Sequence, residues 1–246
     1  MIYDFDEMLS NQFKERIERV NDSISEACKE ANRTLEHVTL IGVSKVFPVE
    51  CAEAAFCNGI NNLGENKVQE LVPKYERFQE LGLNANWHLI GTLQKNKVKY
   101  IIGKTHLIHS VNTVELAEEI SKRSINNSIV SYILLQANVS GEESKQGFLN
   151  NEIEEAFSKI DALEGVRVRG LMTMAPIQTY DGEAQKVFED TRILLEKLKV
   201  NAKDSSNFNI LSMGMSQDYK YAIKEGATHI RIGTAIFGDR TALLNK

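Results

Sequence analysis

The chain has little of what staples, breaks or melts a fold. Its 246 residues include only 3 Pro and 15 Gly, which excludes collagen-like and low-complexity disordered classes. The 3 cysteines, Cys28, Cys51 and Cys57, cannot all pair within one chain and fit no Cys-x-x-Cys spacing. Neither a disulfide framework nor a cysteine-based zinc site is implied, and buried or half-buried thiols on helices are expected. No apolar run approaches the ~18 residues of a membrane span, so no membrane partner is expected. Basic residues are in deficit, 29 against 34 acidic, for a net charge of −5. That balance argues against broad binding to nucleic acid. The first seven residues are acidic where a secretory leader needs a basic start and an apolar run. The expectation is a soluble, cytoplasmic protein.

What is present is a chain that is 42% hydrophobic and 26% charged, long enough to bury a large core. No Ser/Gly/Pro-rich linker divides it, so a single domain over residues 1–246 is expected. Phe5, Met8, Phe13, Ile17, Val20, Ile24 and Cys28 recur at intervals of three to five, which predicts an amphipathic helix within residues 1–35. Short apolar runs then alternate with helical patterns. The runs are residues 39–44, 60–64, 87–90, 107–111, 130–138, 166–172, 208–213 and 229–233. Asn112 followed by Glu115 looks like a capping box for the helix after the fourth run. Eight strands with helical connections give the count of an α/β (β/α)8 TIM barrel, here with an extra N-terminal helix. An open doubly wound sheet would more often carry a Gly-x-Gly-x-x-Gly turn after its first strand, and none is present.

In such a barrel, ligand groups sit at the C-terminal ends of the strands. That rule selects Ser44-Lys45, Gly64-Glu65-Asn66, Met172-Thr173-Met174, Ser212-Met213-Gly214-Met215-Ser216 and Arg231-Ile232-Gly233-Thr234. A lysine directly after an apolar strand points into the barrel mouth, where burial lowers an amine's pKa and lets it attack an aldehyde. Lys45 is that lysine, although a solvated surface role is open from position alone. The backbone at Gly233-Thr234 and the hydroxyl of Ser216 suit a phosphate, or are ordinary turn residues. His106 and His109 could suggest a metal pair, but a spacing of three in an extended segment puts the rings on opposite faces. A structural role is expected for both, as for His88. No metal site and no catalytic base are assigned. Lys95, Lys97 and Lys99 read as a solvated helix face.

Taken together, Val43-Ser44-Lys45, Gly64-Glu65-Asn66, Trp87-His88-Leu89-Ile90-Gly91, Gly170-Leu171-Met172, the run from Leu211 to Ser216 with Asp218, and the run from Arg231 to Gly238 resemble one family. It is the pyridoxal phosphate homeostasis protein family, also called proline synthase co-transcribed homologues, and the likeness extends from about Leu40 to Arg240. The resemblance implies a barrel of the alanine racemase N-terminal type holding pyridoxal 5′-phosphate (PLP) on Lys45 as an internal aldimine. It implies that Ser216, Gly233 and Thr234 hold the phosphate, that Arg231 approaches the pyridine nitrogen, and that Asn66 and Met172 lie near the ring. Ser212, in the same strand-end motif as Ser216, is counted among the cofactor-binding residues. The loop from Val139 to Lys145 departs from the family pattern locally.

The implied role is PLP homeostasis as a cofactor carrier, with transient acceptor PLP apo-enzymes as partners and a monomeric chain. Alanine racemase is similar only over the barrel and adds a β-domain for which this sequence leaves no room. A guanidinium beside the pyridine nitrogen also weakens the ring as an electron sink. Two other readings stay open: a weak PLP-dependent racemase, and a cofactor-free Schiff-base barrel acting on a phosphorylated sugar.

Overall fold

A computed structural model describes residues 7–142, 145–176 and 182–239. Eight parallel strands close into a barrel: β1 (Thr39–Val43), β2 (Asn62–Glu65), β3 (Asn86–Leu89), β4 (Leu107–Val111), β5 (Ser131–Asn138), β7 (Val166–Met172), β8 (Ile210–Met215) and β9 (His229–Ile232). Each pairs with the next, and closure comes from β1 against β9, with Ile41 opposite Arg231 and Gly42 opposite Ile232. A two-residue strand, β6 (Phe148–Leu149), adds to β5 beyond the barrel at Ala137 and Asn138. Its brevity leaves no periodic signal in the sequence.

The helices follow their strands: α2 (Val49–Cys57), α3 (Val68–Glu80), α4 (Val98–Ile101), α5 (Val114–Asn126), α6 (Ile153–Asp161), α7 (Glu183–Lys199), α8 (Tyr219–Lys224) and α9 (Thr234–Phe237). The expected second strand begins two residues late. The Ile60 N–H donates to the Ala55 carbonyl and so finishes α2 instead of starting the sheet. Helix α5 is capped by Thr113, not Asn112: the Thr113 hydroxyl accepts from the Leu116 N–H at 3.1 Å. The seventh run, expected from residue 208, likewise becomes strand two residues late, at Ile210.

Helix α1 (Glu7–Glu30) precedes the barrel and packs on α2, α8 and α9. Phe13, Ile17, Val20, Ile24 and Cys28 form its buried stripe. Phe5 lies outside the described residues, and Met8's side chain is not described. Phe13 meets Phe237 edge-on with centroids 5.5 Å apart, and Phe47 meets Phe237 from another side at 5.5 Å. The Tyr219 hydroxyl donates to Ser23 at 2.7 Å. Cys28 and Cys51 are buried as expected of small apolar side chains, whereas Cys57, at the end of α2, is exposed. Among the described residues, no helix is long and apolar enough to cross a membrane.

The barrel interior is not uniformly apolar. Leu107, Leu134 and Met172 form a small buried cluster, with Ile210 against it. Beside it lie His88, His109, Ser212 and Arg231, all buried.

Candidate functional site

Lys45 stands two residues past Val43, the last residue of β1, and the local chain holds it in an unusual way. Val46 has φ of +66°, a left-handed conformation that costs a β-branched residue roughly 1–3 kcal/mol. The Val46 N–H donates to the Glu70 carboxylate at 2.7 Å, which holds the strained turn in place. Beneath it, the Ser44 hydroxyl donates to Glu65 Oε1 at 2.6 Å, and Lys74 donates to the same oxygen at 2.5 Å and to the Ser44 carbonyl at 2.8 Å. Burial pushes the Glu65 carboxyl above its ordinary range, against the pull of Lys74. Helix α3 thus reaches back twice, through Glu70 and Lys74, to set the residues on either side of Lys45.

Asn66 is fixed by a backbone approach. A Cβ at Gly91 would sit 2.3 Å from the Asn66 carbonyl oxygen, so only glycine permits the two segments to touch. The Ser110 hydroxyl donates to the Gly91 carbonyl at 2.6 Å, holding that contact closed. On the opposite side, Gly214 has φ of +91°, and a Cβ there would meet Ala222 Cβ at 2.6 Å. This glycine lets the chain turn off β8, and the Met215 N–H then donates to Asp218 at 2.6 Å, presenting Ser216. Gly233 ends β9 and begins α9, whose hydrogen bonds start with the Ile236 and Phe237 N–H groups donating to the Gly233 carbonyl.

These turns surround one cavity of about 660 Å³ at the C-terminal ends of the strands. Of the residues predicted from sequence, Lys45, Asn66, Ser216, Arg231, Gly233 and Thr234 line it. Met172 and Ser212 do not. Met172 is buried below with Leu107 and Leu134, and the methionines on the wall are Met174 and Met215. Ser212 sits under Arg231 and accepts from its Nη1 at 2.6 Å, while Arg231 Nη2 donates to the Thr173 carbonyl at 3.0 Å.

Among the wall residues that the sequence reading missed are two lysines, Lys67 and Lys145. Lys145 arrives on the loop after β5, which Asn138 anchors by donating to the Glu142 and Lys145 carbonyls at 2.9 and 3.2 Å. Lys67 stands just before α3. With Lys45 and Arg231 they give the described wall four basic side chains and no carboxylate, in a chain whose net charge is −5. Glu142 and Glu70 approach the outer two lysines at 2.7 and 3.9 Å. Burial pulls the Arg231 guanidinium down to about 10, with Asp218 opposing, so it remains a cation at neutral pH.

The histidines differ from expectation. His88 and His109 both occupy the interior, and His106, which precedes β4, also reaches His88: the centroid separations are 5.4 Å for His106 and 5.1 Å for His109. The two rings are therefore not on opposite faces. His106 lies outside the strand, and the β4–β5 register shifts between Ile108 and Val111, so strict alternation does not apply. No group of three or more potential ligands suited to a metal ion occurs among the described residues.

The donor set suits a planar, anionic aldehyde such as PLP. A cation- and hydroxyl-bearing end suits a phosphate, Val43, Ile90, Met174 and Met215 offer apolar wall to a ring, and Lys45 offers an amine.

Comparison with known proteins agrees. Residues 21–241 match the alanine racemase N-terminal domain family. A protein of Aquifex aeolicus named pyridoxal phosphate homeostasis protein is 42% identical, covering 92% of this chain and 97% of its own. A crystal structure of an unknown protein from Bifidobacterium adolescentis superimposes with a TM-score of 0.87 at 31% identity, covering 94% of this chain and 96% of that one. PipY of Synechococcus elongatus with PLP bound gives a TM-score of 0.79 at 30% identity, covering 92% and 100%. By its barrel, its strand-end motifs and these likenesses, the chain belongs to the alanine racemase N-terminal domain family and, within it, to the pyridoxal phosphate homeostasis proteins.

Proposed function

We propose that this chain binds pyridoxal 5′-phosphate reversibly and serves intracellular PLP homeostasis as a holder and donor of the cofactor, without turning over amino acids. The carrying observation is the cavity in which Lys45, a buried guanidinium and a hydroxyl-bearing turn converge on a wall with no acid among its described residues. When bound, PLP supplies an aldehyde for covalent attachment and an electron-withdrawing ring. Lys45 Nζ is the residue for that attachment, adding to the aldehyde carbon with loss of one water. Ser216 and the backbone N–H groups at Gly233 and Thr234 hold the phosphate, with Lys67 and Lys145 adding long-range attraction. Arg231 takes the pyridine nitrogen and Asn66 the ring's edge. Met172 and Ser212 act from beneath, as support for the floor.

Holding is favoured over turnover by what the wall offers opposite Lys45. Its described residues include no carboxylate, imidazole or phenol to remove an α-proton, and a permanent cation at the ring nitrogen opposes the protonation that would draw charge into the ring. The partners in this reading are acceptor PLP apo-enzymes, met transiently by a monomeric chain in the cytoplasm.

The test begins with titration of the purified protein with PLP. A visible absorbance band should grow, borohydride should fix the cofactor to Lys45, and Lys45→Ala should abolish both. The same band and the same fixation in Lys45→Ala would remove the assignment. Cofactor should also pass to an added apo-enzyme, while deuterium enters Cα of amino acids no faster than in a PLP-only control. Exchange above that control, lost in Lys45→Ala, would favour the racemase-like reading.

A further inference from the structure

Arg231 is buried, and no carboxylate lies within ion-pair distance of it among the described residues. What it does have is a line of hydrogen bonds running down through the barrel. Arg231 Nη1 donates to Ser212 Oγ at 2.6 Å. Ser212 Oγ lies 2.8 Å from His109 Nδ1, His109 Nε2 lies 2.9 Å from His88 Nδ1, and His88 Nε2 lies 3.1 Å from Asn62 Oδ1. Asn62 Oδ1 also accepts from Asn86 Nδ2 at 3.2 Å. The line crosses five strands, from the mouth to the opposite rim.

The direction of every proton follows from its ends. A guanidinium only donates, so Ser212 accepts from it, and the one partner in the line for the Ser212 proton is His109 Nδ1. A neutral His109 then carries its proton on Nε2 and donates to His88 Nδ1. His88 in turn carries its proton on Nε2 and donates to the carbonyl oxygen of Asn62, which already accepts from Asn86. The reverse direction, with both asparagine amides turned over, leaves the Ser212 proton without a partner in the line. Burial, joined by the neighbouring histidines and, at His109, by Arg231, holds both imidazoles well below their ordinary range, consistent with neutral rings. Each lone pair faces Arg231 and each proton points away, so the dipoles add in the sense that stabilises a buried cation.

We propose that His109, His88 and Asn62 are positioning residues that, through Ser212, keep Arg231 charged and fixed in the cavity floor. The effect on a bound ring rests on the reading of the cavity as a PLP site. The tautomers do not.

The experiment has two arms. In the cofactor-free protein, nitrogen-15 NMR should show His88 and His109 as neutral Nε2–H tautomers between about pH 6 and pH 8. An Nδ1–H tautomer or an imidazolium at either position overturns the relay, and this arm needs no variant to fold. In the second arm, His109→Leu should raise the PLP dissociation constant about tenfold and shift the visible band, as expected for losing a charge-assisted contact. His109→Gln, which can accept from Ser212 and donate to His88, should restore both. A folded His109→Leu with unchanged affinity and spectrum overturns the positioning role. Failure of the unaltered protein to bind PLP would sink the proposed function while leaving the tautomer result to judge the relay.

Discussion

Val46 spends conformational energy to aim its neighbour. Its left-handed φ of +66° would suit glycine, and the side chain is half in solvent, so little packing is lost by removing it. Val46→Gly should therefore stabilise the fold by about 1 kcal/mol, strain relief outweighing the entropy cost of glycine. The same freedom should let Lys45 wander and weaken PLP binding. Urea denaturation and PLP titration on the same variant check the pair of effects, and a parallel gain in both would contradict the role given to this turn. Residues such as Lys45, Asn66, Ser216 and Arg231 were legible in the sequence because each is adjacent to the strand end that places it. Lys67 and Lys145 were not, because they reach the cavity from a helix entrance and an anchored loop, and isolated lysines carry no periodic signal.

At the scale of elements, α1 acts on the cavity at second hand. Phe13 backs Phe237, and Phe237 belongs to the four-residue helix that follows Gly233. Phe13→Ala should cost about 3–5 kcal/mol by denaturant unfolding. It should also lower affinity for PLP more than for pyridoxal, because the phosphate turn loses its backing. Strand order and barrel closure could be anticipated from alternating apolar runs, since each βα unit buries its own stripe. The relay through the floor could not, because its members, on β2, β3, β4, β8 and β9, meet only across the closed sheet. The floor also sets an acid limit. Burial lowers the pKa of His88, His109 and His229, the last to about 4 with help from His106 and Arg231. The unfolded chain protonates these imidazoles near 6.5, and the folded chain does so only at lower pH. Stability is thus complete above about pH 6.5 and falls as pH drops toward about 4, at roughly 1.4 kcal/mol per pH unit for each histidine titrating in that window. Urea midpoints across that range measure the slope, and His109→Gln should flatten it.

For the whole molecule, a net charge of −5 surrounds a cavity whose described wall carries basic side chains and no acid. The contrast directs anions to one place. PLP affinity should fall as sodium chloride is raised from about 0.05 to 0.5 M, while pyridoxal, without the phosphate, should be nearly indifferent. Equal salt dependence of the two in parallel titrations would count against the phosphate assignment. Beneath that wall, Leu107, Leu134 and Met172 fill the barrel, so it is a cup and not a tube. A cup serves through its lip. An occupant leaves by the way it entered, the next must wait for that departure, and any protein collecting the cofactor has to stand at the same opening that solvent uses. Delivery then runs at the pace of emptying, however many recipients are queued outside.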